Sequence, residues 1–206
     1  MNNHQCAFAD RVTIDKVIAA YQRMNYQLFT TGEYNLNLFG IRANENISNT
    51  FNDLVCVMYK KNGSWILRKF DATTDPGLYY RKSPLNKNGT AILVPGRYPG
   101  GFKIGMHHGS YQALVQNKPL KLYRDNNKDA TLDRTGKIYE EMAGINIHRA
   151  SSTTTSKYVD KWSAGCQVLA GCQDFKDFMD IINKSSKTYG SVFTYILFTE
   201  DQFFGS

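Results

Sequence analysis

The chain has 206 residues, of which 42% are hydrophobic, 13% aromatic and 21% charged, and it carries a formal charge of +7. That is enough apolar material for one sizeable core, while no apolar run reaches the ~20 residues that span a bilayer. The polar stretch from Met1 to Asp10 lacks the apolar centre of a secretion signal, and four cysteines at irregular positions do not read as a disulfide framework, so a protein made in the cytosol with reduced thiols is expected. The basic residues are scattered, as in Lys60 and Lys61 or Arg81 and Lys82, without the arginine stripe of a phosphate-tracking surface. No nucleic acid and no membrane partner is therefore expected, and the mild positive charge suits anionic cell-wall polymers or a negatively charged virion interior.

Ile14, Val17, Ile18, Tyr21, Met24 and Leu28 recur at intervals of three and four behind Thr13, which predicts a capped amphipathic helix from Ile14 to Leu28. A polar, Asn-rich passage from Thr30 to Asn52 follows, interrupted by a short apolar run from Leu36 to Ile41 that reads as a strand. Leu54 to Tyr59 and Trp65 to Phe70 flank Asn62-Gly63, the pattern of a tight hairpin. Further strands are predicted at Ala91 to Val94, Phe102 to His107, Tyr111 to Gln116, Leu120 to Tyr123, Gly144 to His148 and Val192 to Thr199. Between the last two, Phe175, Phe178, Met179 and Ile182 lie on one face of a predicted helix from Asp174 to Asn183. The fold class is mainly β, a β-rich α+β barrel or sandwich with an N-terminal helix and a second helix near the C-terminal end.

The chemistry concentrates at Trp162-Ser163-Ala164-Gly165-Cys166-Gln167, with fourteen residues between Ser163 and His148 at the end of an apolar strand. A thiol becomes a useful nucleophile when a base or cation lowers its pKa, and imidazole does this well. A glycine directly before the cysteine lets the backbone approach a substrate, so peptide N–H groups there suit an oxyanion. Acyl transfer through a thioester is the reaction this layout fits. The alternative for each residue alone is a buried core thiol or a core histidine satisfied by backbone.

His148, Ser163, Gly165 and Cys166, at this spacing, resemble the catalytic motif of the L,D-transpeptidase (YkuD-type) family. The segments Thr73 to Tyr79 and Val94 to Tyr98 resemble the family's Thr-Pro-x-Gly-x-aromatic stretch. The resemblance implies an L,D-transpeptidase-like β-sandwich or barrel over residues 51–206, with 1–50 as an N-terminal helix and arm outside it. It implies a Cys166 nucleophile and a His148 base held by the main-chain carbonyl of Arg149, with Ser163 and Gly165 as further residues of the catalytic motif, backbone amides near Gly165 for the oxyanion, and no cofactor required. The substrate would be peptidoglycan stem peptides. The chain departs from the family after the cysteine, where Gln167 and Val168 stand, and after the histidine, where Arg149 stands. Substrate-binding roles are accordingly expected of Arg149, Gln167 and His108. Without a secretion signal, a wall enzyme of this kind is best read as a bacteriophage protein, virion-associated with other virion proteins or released on lysis. The alternatives are a peptidoglycan-cleaving L,D-peptidase of a phage, or a non-catalytic virion structural or wall-binding module of the same fold.

Two further patterns carry metal chemistry. Asp125, Asn127, Asp129 and Asp133 stand at the first, third, fifth and ninth places of a calcium-type loop, whose sixth and twelfth places are Ala130 and Gly136 instead of Gly and Glu. A structural calcium and a plain Asx turn are the two readings. His107 and His108 suggest zinc, but neighbours on a strand point to opposite faces, so only one is expected in the cleft.

Overall fold

The structure, a computed structural model, describes residues 4–47 and 49–205, so Met1 to Asn3 of the polar amino-terminal stretch lie outside it. In chain order the elements are α1 (Ile14–Arg23), β1 (Asn37–Arg42), β2 (Asp53–Lys61), β3 (Ser64–Thr73), α2 (Leu78–Lys82), β4 (Thr90–Leu93), β5 (Gly96–His107) and β6 (Tyr111–Gln116). There follow β7 (Leu120–Asp125), β8 (Tyr139–Glu141), β9 (Ile147–Arg149), β10 (Gln167–Leu169), α3 (Cys172–Tyr189), β11 (Val192–Thr199) and α4 (Glu200–Phe204). Eight strands close a barrel in the order β1, β11, β5, β6, β9, β10, β3, β2, while β4, β7 and β8 form a separate three-stranded sheet.

The β2–β3 hairpin forms where the sequence predicts it. Asn62 and Gly63 adopt φ values of 51° and 76°, the left-handed pair that a two-residue turn between twisted strands requires. Thr13 caps α1 by accepting from the Lys16 N–H, but the helix ends at Arg23 and not at Leu28. Asn25 turns left-handed at φ 52° and the Tyr26 N–H closes back on the Tyr21 carbonyl at 2.8 Å, so Tyr26 and Leu28 reach the core from a non-helical chain. At the other end, α3 runs longer than predicted, from Cys172 to Tyr189, and stops at Gly190 with φ 82°.

The expected boundary at residue 50 is not a structural division. Strand β1 is an integral stave, parallel to β11 on one side and antiparallel to β2 on the other. All six of its residues are buried because both faces meet a core. Leu38 packs in the barrel interior with Val57, Tyr195 and Leu197, whereas Phe39 and Ile41 join an outer cluster with Val17, Ala20 and Tyr21 of α1, Phe198, and Phe203 of α4. A strand covered on both faces has no apolar–polar alternation to read, which is why a polar, Asn-rich neighbourhood disguises it. Helix α1 is therefore the lid of that outer core and not a detached arm. Phe175, Phe178, Met179 and Ile182 of α3 complete the other cluster. Among the described residues no helix is long and apolar enough to cross a membrane.

Two short strands set up the site. β9 and β10 pair in parallel, with Ile147 opposite Gln167 and His148 opposite Val168. The Gln167 N–H donates to the Asn146 carbonyl at 2.9 Å, so the turn ending in Cys166 lies against the entry to β9.

Candidate active site

Cys166 and His148 line one cleft of about 670 Å³, with His107, His108, Tyr111, Ile145, Arg149, Lys161 and Trp162 among its walls. The turn carrying Cys166 is clamped by Ser163, whose fully buried hydroxyl donates to the Cys166 carbonyl at 2.9 Å and accepts the Gly165 N–H at 3.1 Å. Ser163 thus shapes the turn without facing a reacting group. Gly165 holds φ at +125°, and a Cβ there would stand 2.5 Å from the Ala91 carbonyl of β4. Below the turn, the Gly77 N–H donates to the Ser163 carbonyl at 2.9 Å, which ties the Thr73 to Tyr79 segment to the cysteine. Replacing Gly165 by alanine should cost about 2–4 kcal/mol, combining backbone strain and a backbone clash. Urea unfolding followed by far-UV circular dichroism measures this, and a loss under ~0.5 kcal/mol, the size of an ordinary surface change, would be incompatible with that geometry.

The Gly165 N–H is taken by Ser163 and that of Gln167 by Asn146, whereas the Cys166 and Ala164 N–H groups are among the donors of this turn with no acceptor among the described residues. The Cys166 N–H, on the nucleophile itself, is a backbone donor open to an oxyanion. The Cys166 sulfur accepts from the Asn146 N–H at 3.4 Å and faces the Gly144 carbonyl at 3.5 Å. Burial pushes this thiol up to about 11, with the Asn146 N–H the only opposing influence. The resting sulfur is therefore a neutral thiol, and the expectation that the imidazole would already have lowered its pKa is not met. Of the other cysteines, Cys6 is raised to about 12 and Cys56 well above its ordinary value, both first by burial in the outer core.

His148 is buried, and its Nδ1 lies 2.7 Å from the Arg149 carbonyl. A carbonyl can only accept, so the proton sits on Nδ1 and Nε2 is left as the base. Burial, and then His107, hold the His148 pKa down to about 3. His107 is the residue sequence reasoning undervalued. Its ring stacks on that of His148 with centroids 4.0 Å apart and planes 20° from parallel. The Asn146 side chain fixes it: Oδ1 accepts the Gln116 N–H at 3.0 Å, so the amide nitrogen faces His107 Nδ1, also at 3.0 Å. His107 is thereby a neutral Nε2–H tautomer, with its pKa pushed down to about 4 by burial first and by His108 and Arg149 after it.

His107 and His108 do not diverge as strand neighbours should. β5 ends at His107, and His108 enters a turn at φ 48°, which brings the two rings to 4.2 Å on the same cleft. A hairpin at His108-Gly109-Ser110 was the available signal. Arg149 also reaches the cleft, its guanidinium 4.0 Å above the Tyr111 ring, while the Tyr111 hydroxyl is 3.4 Å from both His148 Nδ1 and the Arg149 carbonyl.

Gln167 is the expected substrate-binding residue that the structure removes from the cleft. It is fully buried on the opposite face of β10, where Oε1 accepts from the Tyr195 hydroxyl at 3.1 Å and Nε2 approaches the Thr74 carbonyl at 3.5 Å. Strand alternation after Cys166 turns it inward. Asp125, the last residue of β7, and Asn127, Asp129 and Asp133 in the loop after it do not line the cleft. There Asn127 Oδ1 accepts the Asp129 N–H at 3.1 Å and Asp129 Oδ1 accepts the Thr131 N–H at 2.6 Å. No protein-family model, curated protein or solved structure matches this chain.

Proposed function

We propose that the protein is a cysteine acyltransferase of the L,D-transpeptidase type, acting on peptidoglycan stem peptides and delivered by a bacteriophage, in its virion or on lysis. The observation that carries this reading is the pairing of adjacent parallel strands that sets Cys166 and a His148 with a free Nε2 around one cleft. Cys166 Sγ attacks the carbonyl carbon of a donor peptide bond as its proton passes to His148 Nε2, and the carbonyl π electrons move to oxygen beside the Cys166 N–H. Collapse breaks the C–N bond, the leaving amine takes the proton from His148, and a thioester remains on Cys166. An acceptor amine then gives up a proton to His148, attacks the thioester and forms a cross-link, with the thiol reprotonated. Water in place of the amine gives cleavage, the L,D-peptidase outcome.

Arg149 supplies a fixed positive charge on the wall of this cleft, stacked on Tyr111 and suited to a stem-peptide carboxylate in a bidentate pair. Arg149→Ala should raise KM for an anionic tetrapeptide donor by about 10-fold or more with a smaller change in kcat, and Arg149→Lys should recover it only in part. Equal KM values in all three proteins would exclude the assignment.

The reading as a whole is tested by intact-protein mass spectrometry after incubation with disaccharide-tetrapeptide fragments and, separately, with a carbapenem. A mass increase that maps to Cys166 and is absent from Cys166→Ser is expected. No adduct with either reagent, from a protein whose Cys166 still alkylates, would favour a wall-binding module.

A further inference from the structure

Beside the cleft lies a second hollow of about 680 Å³, walled by Leu78, Tyr79, Lys82, Asp160, Lys161 and Trp162. Lys161 and Trp162 line both, so the two spaces are continuous across that pair. Tyr79 and Trp162 are 45% and 44% exposed, and the Trp162 ring has no aromatic or cationic partner among the described residues. Large rings clustered in the open mark a binding surface, whereas a lone one needs no explanation. The backbone beneath them is fixed. Asn49 stitches the two walls together: its Oδ1 accepts the Leu78 N–H at 2.8 Å and the Asp160 N–H at 3.0 Å, and its Nδ2 donates to Asp160 Oδ1 at 2.6 Å. Its carbonyl accepts the Val159 N–H at 2.8 Å. Gly77 lets the walls touch, since a Cβ there would run into the Asp160 carbonyl oxygen. Asp160 turns left-handed at φ 38°, and the Trp162 N–H closes the turn on the Val159 carbonyl at 2.7 Å. Rings presented from so fixed a backbone lose little freedom on binding.

We propose that this hollow is a saccharide subsite, in which a pyranose of the wall glycan stacks its C–H face on Trp162 beside Tyr79 and exchanges hydrogen bonds at its edge with Lys161 and Asp160. The C–H bonds on the face of a β-linked sugar carry partial positive charge and meet the negative face of an aromatic ring, while the hydroxyl and acetamido groups around the edge need donors and acceptors. The hollow supplies both. The Lys161 ammonium lies 4.4 Å from the centre of the Tyr79 ring and has no carboxylate partner among the described residues, so its N–H donors stay available. Asp160, which is exposed, spends one carboxylate oxygen on Asn49 and keeps the other as an acceptor. A protein partner fits this surface less well, because charges standing among the rings are what protein interfaces deplete at their centre. The identity of the sugar rests on the stem-peptide reading of the cleft. A peptide reaches at most ~3.3–3.6 Å per residue, so a short stem whose carbonyl lies at Cys166 brings its sugar to the rim of the same cleft, where Trp162 stands.

The test is isothermal titration of the full chain with a tetramer of β-linked N-acetylglucosamine, which has the sugar chemistry of the glycan and no peptide. A Kd on the order of 0.1–1 mM is expected of one open, partly polar site. Trp162→Ala should weaken binding about tenfold or more and Tyr79→Ala less, while Trp162→Tyr, which keeps a flat ring, should stay within about threefold of wild type. In a Trp65→Phe background Trp162 is the single indole of the chain, and its emission should shift as the sugar saturates. Neither heat nor shift, from a protein whose Cys166 is still acylated by a free tetrapeptide, would overturn the saccharide subsite and leave the acyltransferase standing. Sugar binding that depends on Trp162 without any acyl adduct would keep the subsite and move the function to a wall-binding module. Equal Kd values in wild type and Trp162→Ala would place the sugar elsewhere and overturn the proposal. A Trp162 emission that changes on concentrating the protein alone and ignores the sugar would give the hollow to a second copy of this chain, which overturns it as well.

Discussion

Replacing His148 with alanine is expected to slow acylation of Cys166 by a peptide donor by about 10²–10⁴-fold, the usual worth of a positioned general base. The pH dependence should change with it. In the wild type, burial keeps His148 unprotonated down to about 3 and the Cys166 thiol protonated up to about 11. The reactive combination, neutral imidazole beside neutral thiol, is therefore the resting state over the whole range between, and the wild-type rate should be nearly level there. Without the imidazole only the pre-formed thiolate reacts, so the variant's rate should climb about tenfold per pH unit toward the thiol pKa. A His148→Ala rate within about twofold of wild type at neutral pH would remove His148 from the chemistry. His107 enters the same experiment as a positioning residue. Its ring covers one face of His148, so His107→Ala admits water, lets the His148 pKa return toward the ordinary 6.5, and moves the acid limb of the profile upward. The linkage to stability has the opposite sense to that of a histidine held charged in an ion pair. Both histidines have depressed folded pKa values, so the stability is fully present above the ordinary 6.5 and is lost as pH falls toward about 4 and then about 3, because the unfolded chain takes up protons that the folded one refuses.

The parts of this site that could be read from the sequence were those with local causes. The Asn62-Gly63 turn, the Thr13 cap, and the His148 to Cys166 spacing each declare themselves within a few residues or a fixed interval. What escaped reading was decided by pairing. Gln167 looked like a polar neighbour of the nucleophile, yet the start of β10 at that residue buries it beside Tyr195. His107 looked like half of an unusable pair, yet the turn at His108 leaves both imidazoles on one cleft. Arg149, by contrast, lies on the cleft as its expected role requires, its length carrying the guanidinium around to Tyr111. The amino-terminal segment was misjudged for a similar reason. Strand β1 gains its place from β11, more than 150 positions later in the chain, and no local pattern announces a parallel partner at that distance.

Arg42 shows what that long-range pairing does for the site, and Arg42→Met should destabilise the protein by about 3–5 kcal/mol, the range for removing one partner of a buried charge network. Arg42 is 1% exposed on the last residue of β1. Its guanidinium donates from Nε to Thr74 Oγ1 at 2.9 Å, from Nη1 to the Leu93 carbonyl at 2.8 Å and from Nη2 to the Thr74 carbonyl at 2.7 Å, and it lies 3.1 Å from an Asp75 oxygen. Asp53 takes the Thr74 N–H at 2.6 Å and the Ala43 N–H at 2.8 Å, so the ends of β1, β2 and β3 meet at one polar knot inside the barrel. Methionine fills much of the same volume but leaves the Leu93 and Thr74 carbonyls without those donors and the Asp75 carboxylate without this neighbouring charge. Lysine should not restore stability, since a single ammonium cannot reproduce the fork. From the knot the chain runs through Asp75 and Pro76 to Gly77, whose N–H supports the Ser163 carbonyl under Cys166. Arg42→Met should therefore also loosen the cysteine turn at temperatures where the barrel is still folded, seen as faster iodoacetamide labelling of Cys166 relative to Cys56. A chain beginning at Asn52, which lacks β1 and with it this guanidinium, should fail to fold. An unfolding free energy for Arg42→Met within about 1 kcal/mol of wild type would mean that the barrel closes without this guanidinium, and a cooperative unfolding transition in the truncated chain that it closes without β1.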